Sequence, residues 1–176
     1  MEADELKYAP LKKRIKPIED RTGLGESAAF LFWFLINVYR LDETEAQDAV
    51  CDHPNDKGID GIYVDHNNEE VHFLQSKLRQ GDNPRVGDVG PKNLMGSLQQ
   101  FDETSKINAI LAGNAHGDLK NLLQRAQVSD MVKNGYSLVG VYVTNELHNS
   151  DSEAYAEITP GIRILERAKI ATCSRA

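Results

Sequence analysis

The chain has 176 residues, of which 40% are hydrophobic, and it carries a formal net charge of −7 with a sequence pI of about 5.2. This length and apolar content suffice for one globular domain with a buried core, and they exclude a disordered chain. The acidic balance argues against a protein that wraps nucleic acid through many lysine and arginine contacts to phosphate. It stays compatible with a nuclease, whose carboxylates hold a cation that supplies local positive charge.

The sequence has no feature of a secreted or membrane-spanning protein. Its N-terminus lacks the apolar core of a signal peptide, and the longest apolar run, residues 28–38, is too short to cross a bilayer. The two cysteines, Cys51 and Cys173, are far apart and lack the spacing of a metal site, which favours reduced thiols. We therefore expect a cytoplasmic protein.

The first part of the chain is predicted to be helical after a polar start. Residues 1–22 form a polar N-terminal segment, in which the basic run Lys12–Lys16 is either a solvated helix face or a phosphate contact. A helix over residues 23–38 follows and is apolar on almost every side, which predicts burial on more than one side. Asp42 is the predicted N-cap of a second helix over residues 43–50.

A β-hairpin is predicted next, after a turn at residues 54–58. Residues 59–65 and 71–78 have the apolar, β-branched and aromatic content of strands, with a polar loop between them. Alternation along the second strand assigns its side chains to two faces, Val71, Phe73, Gln75 and Lys77 on one and His72, Leu74, Ser76 and Leu78 on the other. The face with a glutamine and a lysine is not a pure core face.

The rest of the chain is predicted to alternate between helices and strands. In chain order the predicted elements are a loop over 81–91, helices over 92–112 and 118–133, a strand over 136–143, a loop or short helix over 146–156, and a short strand over 162–165. This order predicts a mixed α/β domain over residues 23–170, with a central sheet and helices on its faces.

Three polar residues of the hairpin form a candidate catalytic group. Asp60 stands early in the first strand, while Gln75 and Lys77 stand late in the second. An antiparallel hairpin brings these two ends side by side, so the three side chains are expected to converge. Carboxylate and amide oxygens suit Mg²⁺, which activates phosphoryl groups and water, and an ammonium group stabilises the charge that develops on phosphorus. The pattern therefore favours phosphodiester hydrolysis.

The segments Gly58-Ile59-Asp60-Gly61 and Gln75-Ser76-Lys77 resemble the PD-(D/E)XK nuclease superfamily, in the variant where glutamine replaces the second acid. The closer resemblance is to the N-terminal domain of abortive-infection phage-resistance (AIPR) proteins, and Mrr-like restriction endonucleases are the second choice. In the closer group an early helix carries a glutamate, which Glu26 matches, and a later core strand is similar to the one that ends in Val143-Thr144-Asn145. The resemblance covers roughly residues 20–150.

The resemblance implies a restriction-endonuclease-like α/β fold, a central mixed β-sheet flanked by α-helices. It implies that Asp60, Gln75, Glu26 and the backbone carbonyl of Ser76 hold Mg²⁺ or Mn²⁺, and that Lys77 is the catalytic lysine. The glutamine at position 75 removes one negative charge from this set, and Glu26 is the residue expected to compensate.

The implied function is Mg²⁺-dependent endonucleolytic hydrolysis of DNA, in phage defence or restriction. Cutting both strands commonly needs two active sites, which favours a homodimer. RNA remains an alternative substrate, because a metal site does not itself distinguish ribose from deoxyribose. The AIPR proteins are usually longer than this chain, so a missing C-terminal domain and a shortened relative both stay open.

Non-catalytic alternatives exist for every residue of the group. Asp60 suits a turn cap shared with Asp56, Gln75 and Lys77 suit a solvent-facing edge strand, and Glu26 suits the N-terminus of a helix. On this interpretation the same fold is a catalytically inactive module that binds nucleic acid or a partner protein, which the net charge of −7 and the neutral glutamine favour.

Residues outside the group have weaker functional signals. Arg79, Arg85 and Lys92 follow the second strand, where they either bind phosphates or lie in an ordinary loop. A structural metal near the hairpin is disfavoured, because the spacing of its His and Asp residues is wrong for zinc. Trp33, inside the apolar run, is predicted to lie in the core.

Overall fold

The computed structural model describes residues 2–51 and 57–174, which contain six strands and nine α-helices. The strands are β1 (Gly61–Asp65), β2 (Glu70–Lys77), β3 (Arg85–Val86), β4 (Ser137–Thr144), β5 (Leu147–His148) and β6 (Ile162–Leu165). The helices are α1 (Tyr8–Thr22), α2 (Glu26–Asn37), α3 (Glu43–Asp48), α4 (Val89–Leu98), α5 (Thr104–Ala112), α6 (Gly117–Arg125), α7 (Val128–Lys133), α8 (Ser150–Ile158) and α9 (Arg167–Cys173). A short 3-10 helix, Ala3–Leu6, precedes α1.

The main sheet has the strand order β1-β2-β4-β6. β1 and β2 form an antiparallel hairpin, whereas β2 pairs with β4, and β4 with β6, in parallel. The short strands β3 and β5 pair in parallel as a separate two-stranded sheet. The protein is therefore a mixed α/β structure with a central mixed sheet flanked by helices, which confirms the predicted fold class.

Each face of the sheet is covered by its own apolar cluster. On one face, Leu74 of β2 packs with residues of α1, α2 and α9, including the fully buried Phe34. On the other face, Phe73 packs with residues of α4 to α7, and its ring lies 4.7 Å from that of Phe101 between centroids. Neighbouring residues of β2 thus point to opposite faces, as the alternation predicted.

The first two long helices of the chain, α1 and α2, help to cover the first face of the sheet. Residues 28–35 of α2 are buried, including Trp33, as the apolar run predicted. The preceding polar segment, residues 1–22, also contributes to this core through Leu11 and Ile15 of α1. A helix needs only one stripe of apolar residues to be buried on one side, so the overall polarity of this segment does not predict whether it is buried.

Both long helices predicted in the middle of the chain are wrong as single helices. The predicted helix 92–112 is interrupted between α4 and α5, where Phe101 is fully buried from a turn. The predicted helix 118–133 is interrupted at Gln127, which has a left-handed φ of 49°. The apolar spacing changes at each break, with six positions from Phe101 to Ile107 and two from Ala126 to Val128, where one helical face needs three or four.

The remaining predictions agree with the structure more closely. Asp42 caps α3 by accepting a hydrogen bond from Glu45 N, and β4 and β6 lie where strands were predicted. The predicted loop over 81–91 contains β3 and the start of α4, and α9 was not predicted. The predicted turn at 54–58 lies mostly outside the described residues. No helix in the described ranges has both the length and the hydropathy needed to cross a membrane.

Gly61 at the start of β1 provides a test of the packing around the hairpin. A Cβ at this position would lie 2.7 Å from the carbonyl oxygen of Ala49, closer than real Cβ contacts come, and 3.0 Å from Leu31 Cδ2, which is a tight contact. We expect Gly61→Ala to lower the free energy of unfolding by about 1–3 kcal/mol, the usual effect of overpacking a core. Chemical denaturation measures this change.

The matched control is Gly96→Ala in α4, where a Cβ meets no atom within 4 Å. Alanine is favoured over glycine inside a helix, so this variant is expected to gain about 0.5–1 kcal/mol. Equal stability of the two variants would contradict the packing described for Gly61.

Candidate functional site

Asp60 lies beside the C-terminal end of β2. Its backbone N–H donates to the carbonyl oxygen of Leu74 at 2.8 Å, which extends the hairpin pairing by one residue. The Asp60 carboxylate then accepts a hydrogen bond from the backbone N–H of Ser76, with Oδ2 2.7 Å from the nitrogen. A charge-assisted bond of this length fixes the carboxylate next to the last residues of β2.

Gln75 and Lys77 point to the same side of β2 and line one cavity of about 480 Å³. The side-chain Nε2 of Gln75 donates to the carbonyl oxygen of Gly58 at 3.0 Å. Gly58 has a left-handed φ of 76°, a conformation that favours glycine, and the turn it makes brings its carbonyl to this amide. Over residues 2–51 and 57–174, the Oε1 atom of Gln75 accepts no hydrogen bond.

Lys77 is half-buried in the same cavity wall. Within the described part of the chain, its ammonium group makes no hydrogen bond or ion pair. Other lysines nearer the N-terminus behave differently, since Lys12 and Lys16 are each paired with acids. Lys77 therefore brings to the cavity a positive charge that no described acid pairs with, and this charge attracts an anion.

Two arginines line this cavity together with Lys77. The backbone of Arg79 is held by the buried amide of Asn145, whose Oδ1 accepts from Arg79 N at 2.7 Å and whose Nδ2 donates to Arg79 O at 2.9 Å. Arg85 donates from Nη1 to the carbonyl oxygen of His148 at 2.8 Å. Lys92, the third cation considered from the sequence, lies in another cavity wall and pairs with Asp88 instead.

Glu146 is a member of the cavity wall that the sequence reasoning missed. Its side chain is only 9% exposed, and its Oε2 accepts from Thr144 Oγ1 at 3.0 Å and lies 4.0 Å from Arg79 Nε. The available signal was an acid placed just after the clearest strand. Because β4 runs parallel to β2, the ends of both strands meet at one edge of the sheet.

Tyr142 also lines the cavity, and the charges around the cavity affect the pKa of its phenol. Burial raises the pKa of its phenol to about 12, and the negative charges of Glu146 and Asp60 add to the rise while Arg79 opposes it. Both carboxylates therefore act electrostatically on one phenol, Asp60 from just before β1 and Glu146 from just after β4. The register of the parallel pair places Tyr142 directly beside Gln75.

Glu26 lies at the start of α2, but its carboxylate is turned toward α1. The carboxylate pairs with Lys12 Nζ at 2.9 Å and accepts a hydrogen bond from Tyr8 Oη at 2.8 Å. No other described residue forms a hydrogen bond or an ion pair with it. Burial raises the pKa of Glu26, but these two hydrogen bonds outweigh that effect and hold it below its ordinary value. The link from this helix end to the sheet is instead a hydrogen bond from Ser76 Oγ to Ser27 O.

The oxygen donors near Asp60 fit a hard divalent cation. A carboxylate, an amide oxygen without a hydrogen-bond donor and a backbone carbonyl are ligand types that Mg²⁺ accepts. These belong to Asp60, Gln75 and Ser76, and the structure brings them to one end of β2. Ser27, the neighbour of Glu26, is hydrogen-bonded to Ser76 at this end of β2, but the Glu26 carboxylate is paired with Lys12.

A second acidic group lies at the opposite end of the hairpin. Among the described residues, Asp65, Glu70 and His72 are the one set of three carboxylate or imidazole groups close enough to share a metal. Their partners are protein groups: Asp65 accepts from the turn N–H of Asn67, and Glu70 pairs with Arg163 Nη2 at 2.7 Å. These contacts make the group a cap for the hairpin turn and an anchor for β6.

Asp56 lies outside the described residues, so the turn cap that it would share with Asp60 stays a prediction. Cys51, which is buried, and Cys173, which is exposed, form no disulfide.

Comparison with known proteins finds no relative. No protein-family model matches the chain, and neither the curated proteins nor the solved structures contain a match. The resemblance to PD-(D/E)XK nucleases therefore stays a prediction that rests on the motif residues.

Asn145 provides a test of how the cavity wall is held. Replacing it with alanine leaves both the N–H and the carbonyl of Arg79 without their partner, so we expect a loss of about 1–3 kcal/mol in the free energy of unfolding. Thermal or urea denaturation measures the loss. The control is Asn114→Ala at an exposed position, expected within about 0.5 kcal/mol of the wild type. A neutral Asn145→Ala would contradict the hydrogen bonding described.

Glu26 provides a test by pH. Because its pKa in the folded chain is lowered, the charged carboxylate stabilises the fold above the ordinary pKa of 4.5, and this contribution is lost as the pH falls through the lowered value. Wild type should therefore be more stable than Glu26→Gln at pH 7, with the difference vanishing under acid. The exposed control Glu157→Gln should show little difference at either pH. A difference for Glu26→Gln that persists under acid would contradict the assignment.

Proposed function

We propose that the chain is a metal-dependent nuclease of the PD-(D/E)XK type that hydrolyses DNA phosphodiester bonds. The observation that carries the proposal is the single cavity at the end of β2, lined by Gln75, Lys77, Arg79 and Arg85, with the carboxylate of Asp60 held at the same strand end. A cation-binding group next to unpaired positive charge is what phosphate chemistry requires.

The metal-binding role belongs to the oxygen donors at the end of β2. Asp60, Gln75 and the Ser76 carbonyl would hold Mg²⁺ or Mn²⁺, and Glu26 is the further acid that the resemblance implies. A bound cation would supply Lewis-acid activation of the phosphoryl group and of water. The hydrogen bond from Ser76 N keeps the Asp60 carboxylate fixed at this position, which lowers the cost of ordering it when a ligand arrives.

The cationic residues of the cavity act on the phosphate itself. Lys77, which has no acidic partner in the described chain, stabilises the attacking group and the charge that develops on phosphorus. Arg79 and Arg85 bind the phosphates on either side of the scissile bond, since a guanidinium group matches phosphate oxygens in a bidentate manner. The local positive charge thus compensates for the chain's negative balance.

The biological setting follows from the resemblance alone. The Gly58–Gly61 and Gln75–Lys77 segments suggest a restriction-endonuclease-like fold and a role in antiviral defence or restriction in the cytoplasm, and the central mixed sheet is compatible with that fold. Double-strand cleavage favours a homodimer. RNA is the second substrate class to test.

A catalytically inactive binding module is the second candidate. Two observations favour it: Gln75 is neutral where an acid is usual, and the Glu26 carboxylate is engaged by Lys12 and Tyr8. In this alternative the cationic cavity binds a phosphate group, but the protein does not hydrolyse the phosphodiester bond.

The direct test is cleavage of supercoiled plasmid with Mg²⁺ or Mn²⁺. Asp60→Asn removes the charge that holds the cation, and Lys77→Met removes the ammonium group, so each should lower the cleavage rate by about 10²-fold or more. Asp130→Asn and Lys133→Met make the same changes at exposed positions of α7 and should cut at the wild-type rate.

The outcomes separate the candidates. Equal cleavage by Asp60→Asn, Lys77→Met and their controls would place the activity elsewhere or in a contaminant. Cleavage of RNA but not DNA in a parallel assay would reassign the substrate. Metal-independent DNA binding without cleavage of either substrate would favour the inactive module.

A further inference from the structure

Glu146 has one oxygen that no described group satisfies. Its Oε2 accepts the hydroxyl of Thr144 at 3.0 Å, and its backbone N–H donates to the same hydroxyl at 3.2 Å. Over residues 2–51 and 57–174, its Oε1 accepts no hydrogen bond. The residue is 7% exposed, and the surface that it keeps belongs to the cavity of Gln75 and Lys77.

The carboxylate of Glu146 pairs only weakly with a cation of the described chain. Arg79 Nε is 4.0 Å from Oε2, and the Arg79 side chain is 61% exposed, so this ion pair is weak. Glu146 is therefore a mostly buried acid in the cavity wall with one oxygen that no described protein group uses.

Among the described residues that line the cavity, Glu146 is the one carboxylate. Gln75 contributes a neutral amide, and the carboxylate of Glu26 is taken up by Lys12 and Tyr8. Glu146 follows β4, the parallel neighbour of β2, so it reaches the same sheet edge as Asp60. The phenol of Tyr142 lies within the electrostatic range of both carboxylates.

We propose that Glu146 supplies the second carboxylate of the divalent-cation site, replacing the charge that Gln75 lacks. The proposal rests on the proposed function, because it concerns the same cation. It assigns the second acid of the cation site to a residue just after β4. Glu26 then has the structural role of binding Lys12 and Tyr8 of α1. Hard divalent cations favour such an added carboxylate oxygen.

The test is Mn²⁺ binding to the full chain, measured by calorimetry and by the electron paramagnetic resonance signal of free Mn²⁺. Glu146→Gln keeps the side-chain volume and an acceptor for Thr144, but it removes the charge, and we expect at least ~10-fold weaker binding. Glu157→Gln, at an exposed site, should bind within about twofold of the wild type, a change below 0.5 kcal/mol. Thermal denaturation verifies that each variant folds.

Two further variants keep the test decisive. Gln75→Glu in the Glu146→Gln background returns an acid to the cavity and should restore most of the affinity. Glu146→Asp keeps the charge but retracts the carboxylate, so it too should weaken binding, and it replaces Glu146→Gln if that variant does not fold.

The outcomes distinguish this proposal from the proposed function. Unchanged Mn²⁺ affinity in Glu146→Gln, or in Glu146→Asp, together with loss of binding in Asp60→Asn, would overturn the role of Glu146 and leave the nuclease proposal standing. A loss that Arg79→Met reproduces and that Gln75→Glu does not restore would also overturn it, since Glu146 would then act by holding Arg79. No Mn²⁺ binding by the wild type would overturn both proposals.

Discussion

The parallel pairing of β2 with β4 determines what the candidate site contains. Eight residue pairs, from Glu70 beside Ser137 to Lys77 beside Thr144, hold the two strands in register. Because both strands end at the same sheet edge, the polar residues of β2 lie next to the residues that follow β4. In open α/β sheets ligands commonly bind at the carboxyl ends of the strands. A shift of this register would separate Gln75 from Tyr142 and remove Glu146 from the cavity.

The charge distribution at this edge differs from that of the whole chain. The protein carries a net charge of −7, yet Lys77, Arg79 and Arg85 surround one cavity. Glu146 lines this cavity from just after β4, and the carboxylate of Asp60 is held at the same end of β2 by Ser76 N. Such alternation of anionic and cationic groups suits a cation and a phosphate bound side by side, and it needs no basic surface elsewhere.

Local patterns predicted the part of the site that depends on local structure. The hairpin follows from strand composition and a polar loop, so the approach of Asp60 to Ser76 was predictable, as was the shared face of Gln75 and Lys77. Non-local packing decided the rest. The pairing of Glu26 with Lys12 depends on how α1 packs against α2, and the position of Glu146 depends on the crossover to β4. Hydrophobic periodicity reports neither contact.

The most direct test of the central claim is a crystal structure of the chain with Mn²⁺, located by its anomalous scattering. The account predicts one anomalous peak at the ends of β2 and β4, bound by Asp60 with oxygen atoms of Gln75 and Glu146. A peak at the opposite end of the hairpin, between Asp65 and His72, would contradict it. The absence of an anomalous peak beside Asp60 in crystals soaked in saturating Mn²⁺ would also contradict it.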